Sequence, residues 1–382
     1  MALFKRCAVG DDMTPLRRML DVEFPVSFTQ TKDGAAHLWG KLAAGGWLAA
    51  ALPKELGGHG CSLTEQWSIF HELGRALSPC PYLSTVMLGL IPIWEAGFDT
   101  TRKVEILRKI AQGQRATMAV SGRWLNSNVS MIVLRADSRR DSFRINGSVN
   151  FVLDPGAYWI LAPAHVTQRQ RPGSLGVFIV SAGTPGLRSV EWASEDGSRK
   201  IGRLFFKDVV IPRQSLIVRS GSARMFLELA LWRTVAALAA EMMGGAGKAL
   251  ELACDYAQTR HVFGRPISSY QAVSHRLARL YGDIASVRPL VDETAEVLSA
   301  RPKRRSWTLV SMAKVSANVA FLKACEDALR VYGARGFTQE KPLYLYHRRA
   351  ITSQFLFGDT GYHQKRVIAA IMNGVAHCPF SV

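Results

Sequence analysis

Tyr256-Ala-Gln-Thr-Arg-His-Val-Phe-Gly-Arg-Pro-Ile-Ser-Ser-Tyr-Gln271 is the stretch whose reading decides the fold. Upstream of it, Leu227, Leu231, Thr234, Leu238, Ala239 and Met242 recur mostly at spacings of three and four, with Ala in most gaps. That pattern predicts a long helix able to pack closely against its neighbours. Gly264-Arg265-Pro266 ends it, because Gly permits an unusual backbone angle and Pro cannot donate to the helical ladder. From Gln271 to Arg279 a second helical pattern begins, so Met225–Arg279 is predicted to form helix, tight turn, helix. Arg260, Phe263 and Gln271 on that turn carry more binding chemistry than a mere connector requires.

Further from this stretch the pattern changes twice. Between Arg115 and about Val210, short runs rich in Val, Ile and Phe are separated by Asp, Gly, Asn and Pro clusters. Thr117–Val120, Ser130–Ala136, Ser142–Ile145, Gly147–Leu153, Tyr158–Ala164, Gly176–Ser181 and Arg203–Val210 read as seven strands of a small barrel or sandwich. Thr167–Pro172, with Arg169 and Arg171, reads as an exposed loop. Before Gln112 the periodicity is helical, over Ala35–Ala51, Leu63–Leu77 and Thr101–Gln112. Beyond Ser222 it is helical again, with Ser306–Tyr332 and Lys365–Asn373 after a basic linker, Ser299–Arg305. The fold class is therefore α+β and multidomain. We expect an amino-terminal helical bundle over 1–114, a β-barrel or sandwich over 115–219 and a carboxy-terminal four-helix-type bundle over 220–382.

Composition bounds the function. A chain of 382 residues, 48% hydrophobic with nine Trp, is globular and large enough for two or three packed units. It offers no run of about 20 apolar residues, so neither a membrane span nor a signal peptide is expected. The six Cys, at 7, 61, 80, 254, 325 and 378, have no Cys-x-x-Cys pair or matching His spacing. They read as reduced thiols of a cytoplasmic protein without a structural metal. The net charge of +18 suits nucleic acid, lipid headgroups or a polyanionic small molecule, but Arg and Lys are spread through every domain. Most of that charge reads as solvated surface.

The motif Tyr-Ala-x-x-Arg-x-x-Phe-Gly-x-Pro-Ile-x-x-x-Gln, followed by Leu-Ala, is similar to the signature of the acyl-CoA dehydrogenase family of flavoproteins. Leu52-Pro-Lys-Glu-Leu-Gly-Gly-His-Gly60 resembles that family's amino-domain turn. Tyr332-Gly-Ala-Arg-Gly-Phe-Thr-Gln-Glu-Lys-Pro-Leu343 resembles its late turn between carboxy-terminal helices. The resemblance implies an FAD cofactor between β domain and carboxy-terminal helices and an acyl-CoA thioester as substrate. It also implies electron-transfer flavoprotein or a similar acceptor, and assembly as a homo- or heterotetramer or a dimer.

On this resemblance Arg260, with Phe263 and Gln271, lies against the cofactor pyrophosphate of a neighbouring subunit, a role suited to a forked guanidinium. The alternative is an Arg capping its own helix end. Met118-Ala-Val-Ser-Gly122 takes the place of a flavin-contacting strand, with Ser121 supplying the hydroxyl. Arg123-Trp-Leu-Asn126 replaces the family's acidic, glycine-rich run. In Asn150-Phe-Val-Leu-Asp154, Phe151 stands where many relatives stack a tryptophan on flavin, and Leu153 belongs to the same cofactor-facing segment. Arg330 replaces a usual glutamine and Ala334 a glycine near the cofactor.

The reaction removes a proton beside the thioester while hydride leaves the next carbon for flavin N5, so it needs a carboxylate facing that proton. Phe357 occupies one family position for this glutamate, and Thr234 the other. Glu241, two helical turns after Thr234, is the substitute candidate. It is either a catalytic acid of raised pKa or half of a structural ion pair. Asp359 is the second acid, placed to bind a backbone amide or a flavin hydroxyl. His363 and His347 read as structural. The expected activity is α,β-dehydrogenation of an acyl-CoA thioester with a bulky or unusual acyl group. The competing expectations are a catalytically silent subunit of a heteromeric acyl-CoA dehydrogenase and a basic DNA-binding family member.

Overall fold

The computed structural model describes residues 13–121, 132–167, 174–192, 196–219, 221–299, 304–338 and 342–372. Helices α1 (Thr14–Glu23), α2 (Val26–Thr29), α3 (Lys32–Ala44), α4 (Leu63–Arg75), α5 (Ile91–Glu95) and α6 (Thr100–Ala111) come first. Side chains start three of them: Thr31 Oγ1 accepts from the Gly34 amide at 3.0 Å ahead of α3. Ser62 and Glu65 form a reciprocal capping box on α4, and Asp99 accepts from the Arg102 amide 2.7 Å away at the start of α6. Leu83–Leu90, within the region expected to be helical, winds as a π-helix and is wholly buried.

Eight strands follow: β1 (Ala116–Met118), β2 (Arg135–Ser138), β3 (Ser142–Leu153), β4 (Trp159–Thr167), β5 (Leu175–Ser181), β6 (Leu187–Trp192), β7 (Ile201–Pro212) and β8 (Leu216–Val218). They form one sheet in the order β6-β7-β3-β2-β4-β5-β8, with β1 added in parallel to β4. Two expected strands, Ser142–Ile145 and Gly147–Leu153, are in fact one, because β3 runs through Asn146. Gly147, at φ 131°, is accommodated by a register shift against β7. Strands β6 and β8 were not expected, because Arg188-Ser-Val-Glu-Trp192 is a polar edge and Leu216–Val218 is short. The residues of the expected Thr167–Pro172 loop beyond Thr167, and Arg123–Asn126, lie outside the described residues.

The carboxy-terminal part contains α7 (Ala223–Thr259), the two-residue strands β9 (His261–Val262) and β10 (Arg265–Pro266), α8 (Gln271–Ser299), α9 (Arg304–Tyr332), α10 (Leu343–Phe355) and α11 (Thr360–Met372). The expected turn is thus an antiparallel hairpin between two helices. None of the described helices is long and apolar enough to cross a membrane.

The chain divides into two compact units. One takes the described residues up to Ala35, Ser62–Pro79 and those from Val235 onward; the other takes Ala36–Cys61 and Cys80–Thr234. In the first, α4 crosses α7 at backbone contact. A Cβ on Gly74 would strike the Glu241 carbonyl, and one on Gly244 would strike that of His71. Arg17 on α1 grips Glu72 on α4 through two nitrogens. The second unit is built on the sheet, whose core is filled by Ile145, Val152, Ala162, Phe178 and Leu204.

Candidate functional site

The hairpin between α7 and α8 carries the expected binding group. Phe263 (φ 50°) and Gly264 (φ 79°) form its two-residue loop, and positive φ at both central positions is what a tight type I′ turn demands. Phe263 is 93% exposed and bears a steric cost for its left-handed conformation, so its ring is held out toward solvent against both hydrophobicity and backbone preference. Arg260 is exposed, and its guanidinium meets no partner among the described residues; the self-capping alternative is not what forms. Gln271 opens α8 and is also exposed. Arg265 lies over the ring of Tyr270 at 4.1 Å, which stiffens the base of the hairpin.

After α9, the turn Gly333–Phe337 borders a cavity of about 370 Å³ lined by Glu326, Leu329, Arg330, Gly333, Phe337 and His347. Gly333 sits at φ 63° and Ala334 is exposed beside it. Arg330 donates to Asp327 at 2.7 Å and lies 3.6 Å from Glu326, both on its own helix. A cationic, aromatic hairpin and a cavity with an arginine and a histidine suit a phosphate-bearing aromatic ligand such as FAD.

A second constellation surrounds the turn between α10 and α11, where Phe357 stands. Phe357 is fully buried at φ 55°, a left-handed conformation costly for a residue with a side chain, and Gly358 follows at φ 104°, which glycine adopts freely. Three residues on one face of α9 hold it. Lys314, fully buried, donates to the Ser353 carbonyl at 2.8 Å and to Asn318 Oδ1 at 2.6 Å, so its cation sits where the exposed carbonyls of α10 end. Asn318 Nδ2 donates to Thr360 Oγ1 at 3.1 Å, at the start of α11. Ser311 lies 3.2 Å from His363 Nδ1, while His363 Nε2 lies 3.1 Å from the Phe357 carbonyl. Burial, reinforced by Lys314, pushes the His363 pKa down to about 3. The ring is therefore neutral, its Nε2–H donating to Phe357 and its Nδ1 accepting from Ser311. Asp359 Oδ1 accepts from the Tyr362 amide at 2.7 Å, the backbone role that was one of its two expected uses.

Glu241 on α7 receives Arg349 Nη1 from α10 at 2.7 Å, and Arg349 Nη2 donates to the Ser78 carbonyl at 2.9 Å. Arg349 is 3% exposed and Glu241 8%. Of the two alternatives for Glu241, the ion pair is the one that forms. Thr234, at the other family position for a base, turns its hydroxyl back to the Ala230 carbonyl of its own helix at 2.7 Å.

The sheet-bearing unit holds the remaining expected residues. Ser121 is half-buried at the edge of the described chain, just after β1. Phe151 is a bulged residue at φ 57°, its ring edge-on to Trp192 at 5.0 Å, and Leu153 is buried at the end of β3. Arg349 and Lys314 were missed in the sequence. The only signal was a basic residue at a buried position of an otherwise amphipathic helix.

The chain matches the model of the acyl-CoA dehydrogenase N-terminal domain over residues 17–114 and that of the acyl-CoA dehydrogenase C-terminal domain over residues 227–372. It is 26% identical over 324 residues to a cyclohex-1-ene-1-carbonyl-CoA dehydrogenase of Syntrophus aciditrophicus, covering 82% of this chain and 77% of the relative. Its fold superposes on a glutaryl-CoA dehydrogenase from Mycobacterium smegmatis in complex with FADH2 with a TM-score of 0.84 at 18% identity, covering 96% and 94% of the two chains. On a chain of the ChsE4–ChsE5 complex from Mycobacterium tuberculosis the TM-score is 0.79 at 22% identity, covering 95% and 98%.

Proposed function

The chain belongs to the acyl-CoA dehydrogenase family, and on that premise we propose that it is an FAD-dependent oxidoreductase serving α,β-dehydrogenation of an acyl-CoA thioester. The observation that carries this reading is the hairpin on which Arg260, Phe263 and Gln271 are all presented outward. An unpaired guanidinium beside an exposed ring can fork onto a pyrophosphate and cover an adenine or flavin face. FAD, when bound, supplies the hydride acceptor. The chain's own residues bind it, exclude water around it and shape the acyl site. A bulky or unusual acyl group is favoured by the Syntrophus relative, whose name specifies the CoA thioester of a cyclic acyl group. Electron-transfer flavoprotein or a similar acceptor would take the electrons onward.

A second reading is favoured by one observation, the buried Phe357 at a family position for the carboxylate. Thr234, at the other family position, is bonded to its own helix, and the substitute Glu241 is engaged by Arg349. The chain would then act within a heteromeric tetramer or dimer, giving Arg260 and Phe263 to a site whose acid belongs to a related chain. The test is purification alone and with a co-encoded homologue, followed by anaerobic titration with a panel of acyl-CoA thioesters. Yellow protein bleached by a thioester only in the pair supports the heteromer, and bleaching of the lone chain supports a self-sufficient enzyme. Protein colourless in every pairing would end the cofactor assignment.

A further inference from the structure

Strand β3 ends in a device that this reading does not use. Asn150 pairs with Arg203 and Val152 with Gly202, which leaves Phe151 as an extra, bulged residue at φ 57°. Asp154, three residues on, is at φ 50°. Two side-chain-bearing residues in the left-handed region within four positions persist only where the surroundings over-determine them, and bulges re-aim side chains. The surroundings here converge on Arg115. Its Nη1 donates to Asp154 Oδ1 at 2.6 Å, its Nη2 to the Gly156 carbonyl at 2.8 Å, and its own carbonyl accepts from the Tyr158 and Trp159 amides. Thr117 Oγ1 fixes the Leu153 carbonyl at 2.6 Å, and the Asp154 amide donates to the Lys200 carbonyl at 2.8 Å.

We propose that the Arg115–Asp154 pair is a positioning device for the cofactor-facing end of β3, its charge state deciding whether Phe151 and Leu153 are held in the geometry that receives FAD. The proposal rests on the reading that this chain's own β unit takes part in binding the flavin. Two features separate the pair from an ordinary structural ion pair. Asp154 is 2% exposed and its second oxygen is buried without a hydrogen-bond partner, so its anion is incompletely satisfied. Burial pushes its carboxyl up to about 6, against the pull of Arg115 and Lys200 and with the push of Glu191, so its negative charge is lost at higher pH than that of an ordinary carboxylate.

The experiment measures flavin affinity by fluorescence between about pH 7.5 and 5, for the protein as isolated and with any partner it needs, in the wild type, Asp154→Asn and Arg115→Lys. We expect wild-type affinity to fall about tenfold with an inflection near pH 6. Asp154→Asn should bind weakly at every pH and lose the inflection. A pH-independent wild type, or an inflection that survives in Asp154→Asn, overturns the proposal. A second readout needs no flavin. Phe151 touches Trp192 edge-on, so the emission difference between wild type and Trp192→Phe should titrate near pH 6. If no flavin binds in any pairing, the cofactor reading fails, while this emission difference still decides the pair: a flat difference overturns it. Should Asp154→Asn fail to fold, the wild-type titrations alone decide the matter, an inflection near pH 6 supporting the proposal and its absence overturning it.

Discussion

Arg349→Met tests the buried pair on which α7 and α10 meet. Arg349 is 3% exposed, bonded to Glu241 at 2.7 Å and to the Ser78 carbonyl at 2.9 Å, so its removal leaves a buried carboxylate and a buried carbonyl each one donor short. Breaking a buried pair from one side costs about 3–5 kcal/mol, because the surviving charge stays desolvated. With about 2.1 cal/mol/K of unfolding entropy per residue over 382 residues, each kcal/mol is worth about 1.2 °C, so the melting temperature should fall by roughly 4–6 °C. Glu241→Gln strands Arg349 and should cost a similar amount. The double variant removes both charges and should recover much of the loss, giving a coupling energy of about 2 kcal/mol or more. Urea denaturation of the four proteins measures the cycle. Flavin reduction by thioester, normalised to folded protein, should survive in Glu241→Gln. The reasoning is refuted if both single variants melt within about 2 °C of wild type, the range of ordinary surface changes. A folded Glu241→Gln that keeps flavin and thioester but cannot reduce the cofactor would instead identify Glu241 as the proton acceptor.

Arg260→Ala should release flavin and loosen the oligomer while leaving the fold intact; losing one charge-assisted contact of about 1.5–3 kcal/mol weakens affinity about ten- to a hundredfold, readable by flavin fluorescence. Lys314→Met should lower stability and release the α10–α11 turn, detected as faster amide exchange at Phe357 and Gly358, because the Ser353 carbonyl and Asn318 Oδ1 both lose the Lys314 ammonium, leaving the Ser353 carbonyl only the Leu356 amide. Stability should fall on acidification: His363 drops from 6.5 to about 3 on folding, so the unfolded chain binds the extra proton between those values and folding weakens by about 1.4 kcal/mol per pH unit as pH falls. Glu72, held at about 2 by the Arg17 and His71 hydrogen bonds against burial, adds the same trend below about 4.5, whereas Asp154, raised to about 6, acts oppositely between 6 and 3.8. Comparison of urea midpoints for wild type and His363→Gln from pH 6.5 to 4.5 isolates the histidine, and parallel curves would disprove its role.

The helix–hairpin–helix was legible because its cause is local: Gly264 and Pro266 fix the break whatever surrounds them. The β region was legible in type and less so in connection. Asn-Gly normally signals a hairpin, but Gly147 serves a bulge, and only pairing with β7 distinguishes the two. The π-helix at Leu83–Leu90 lies in the region read as helical, but its polar residues Ser84 and Thr85 are buried with the rest, so no solvent face marks a period. At the site, Glu241 could be narrowed to two roles but not decided. The partner that decides it, Arg349, is 108 residues away in sequence, and nothing in either segment announces the other. Lys314 was hidden for the same reason, and His363 could be read as structural but not given its partners, because a buried polar ladder is a property of three helices together.

The strained residues sort by where they point, and this bears on which parts of a shared site the chain keeps. Phe263 and Phe357 both bear the cost of a left-handed backbone, on the order of 1–3 kcal/mol each. Phe357 recovers it within the chain, since its ring is fully buried and its carbonyl is bonded to His363. Phe263 does not, because its ring is 93% exposed and no packing of its own chain offsets the strain. A hairpin tip that is costly in isolation is stable in evolution only if something covers it, and Arg260 beside it has an unanswered charge of the kind that phosphate answers. On the proposed function the outward-reaching parts would be kept at a cost to the lone chain, while Phe357, at the inward position for an acid, lies in the core. That asymmetry is the one expected of a chain that completes a neighbour's flavin site more faithfully than it builds its own.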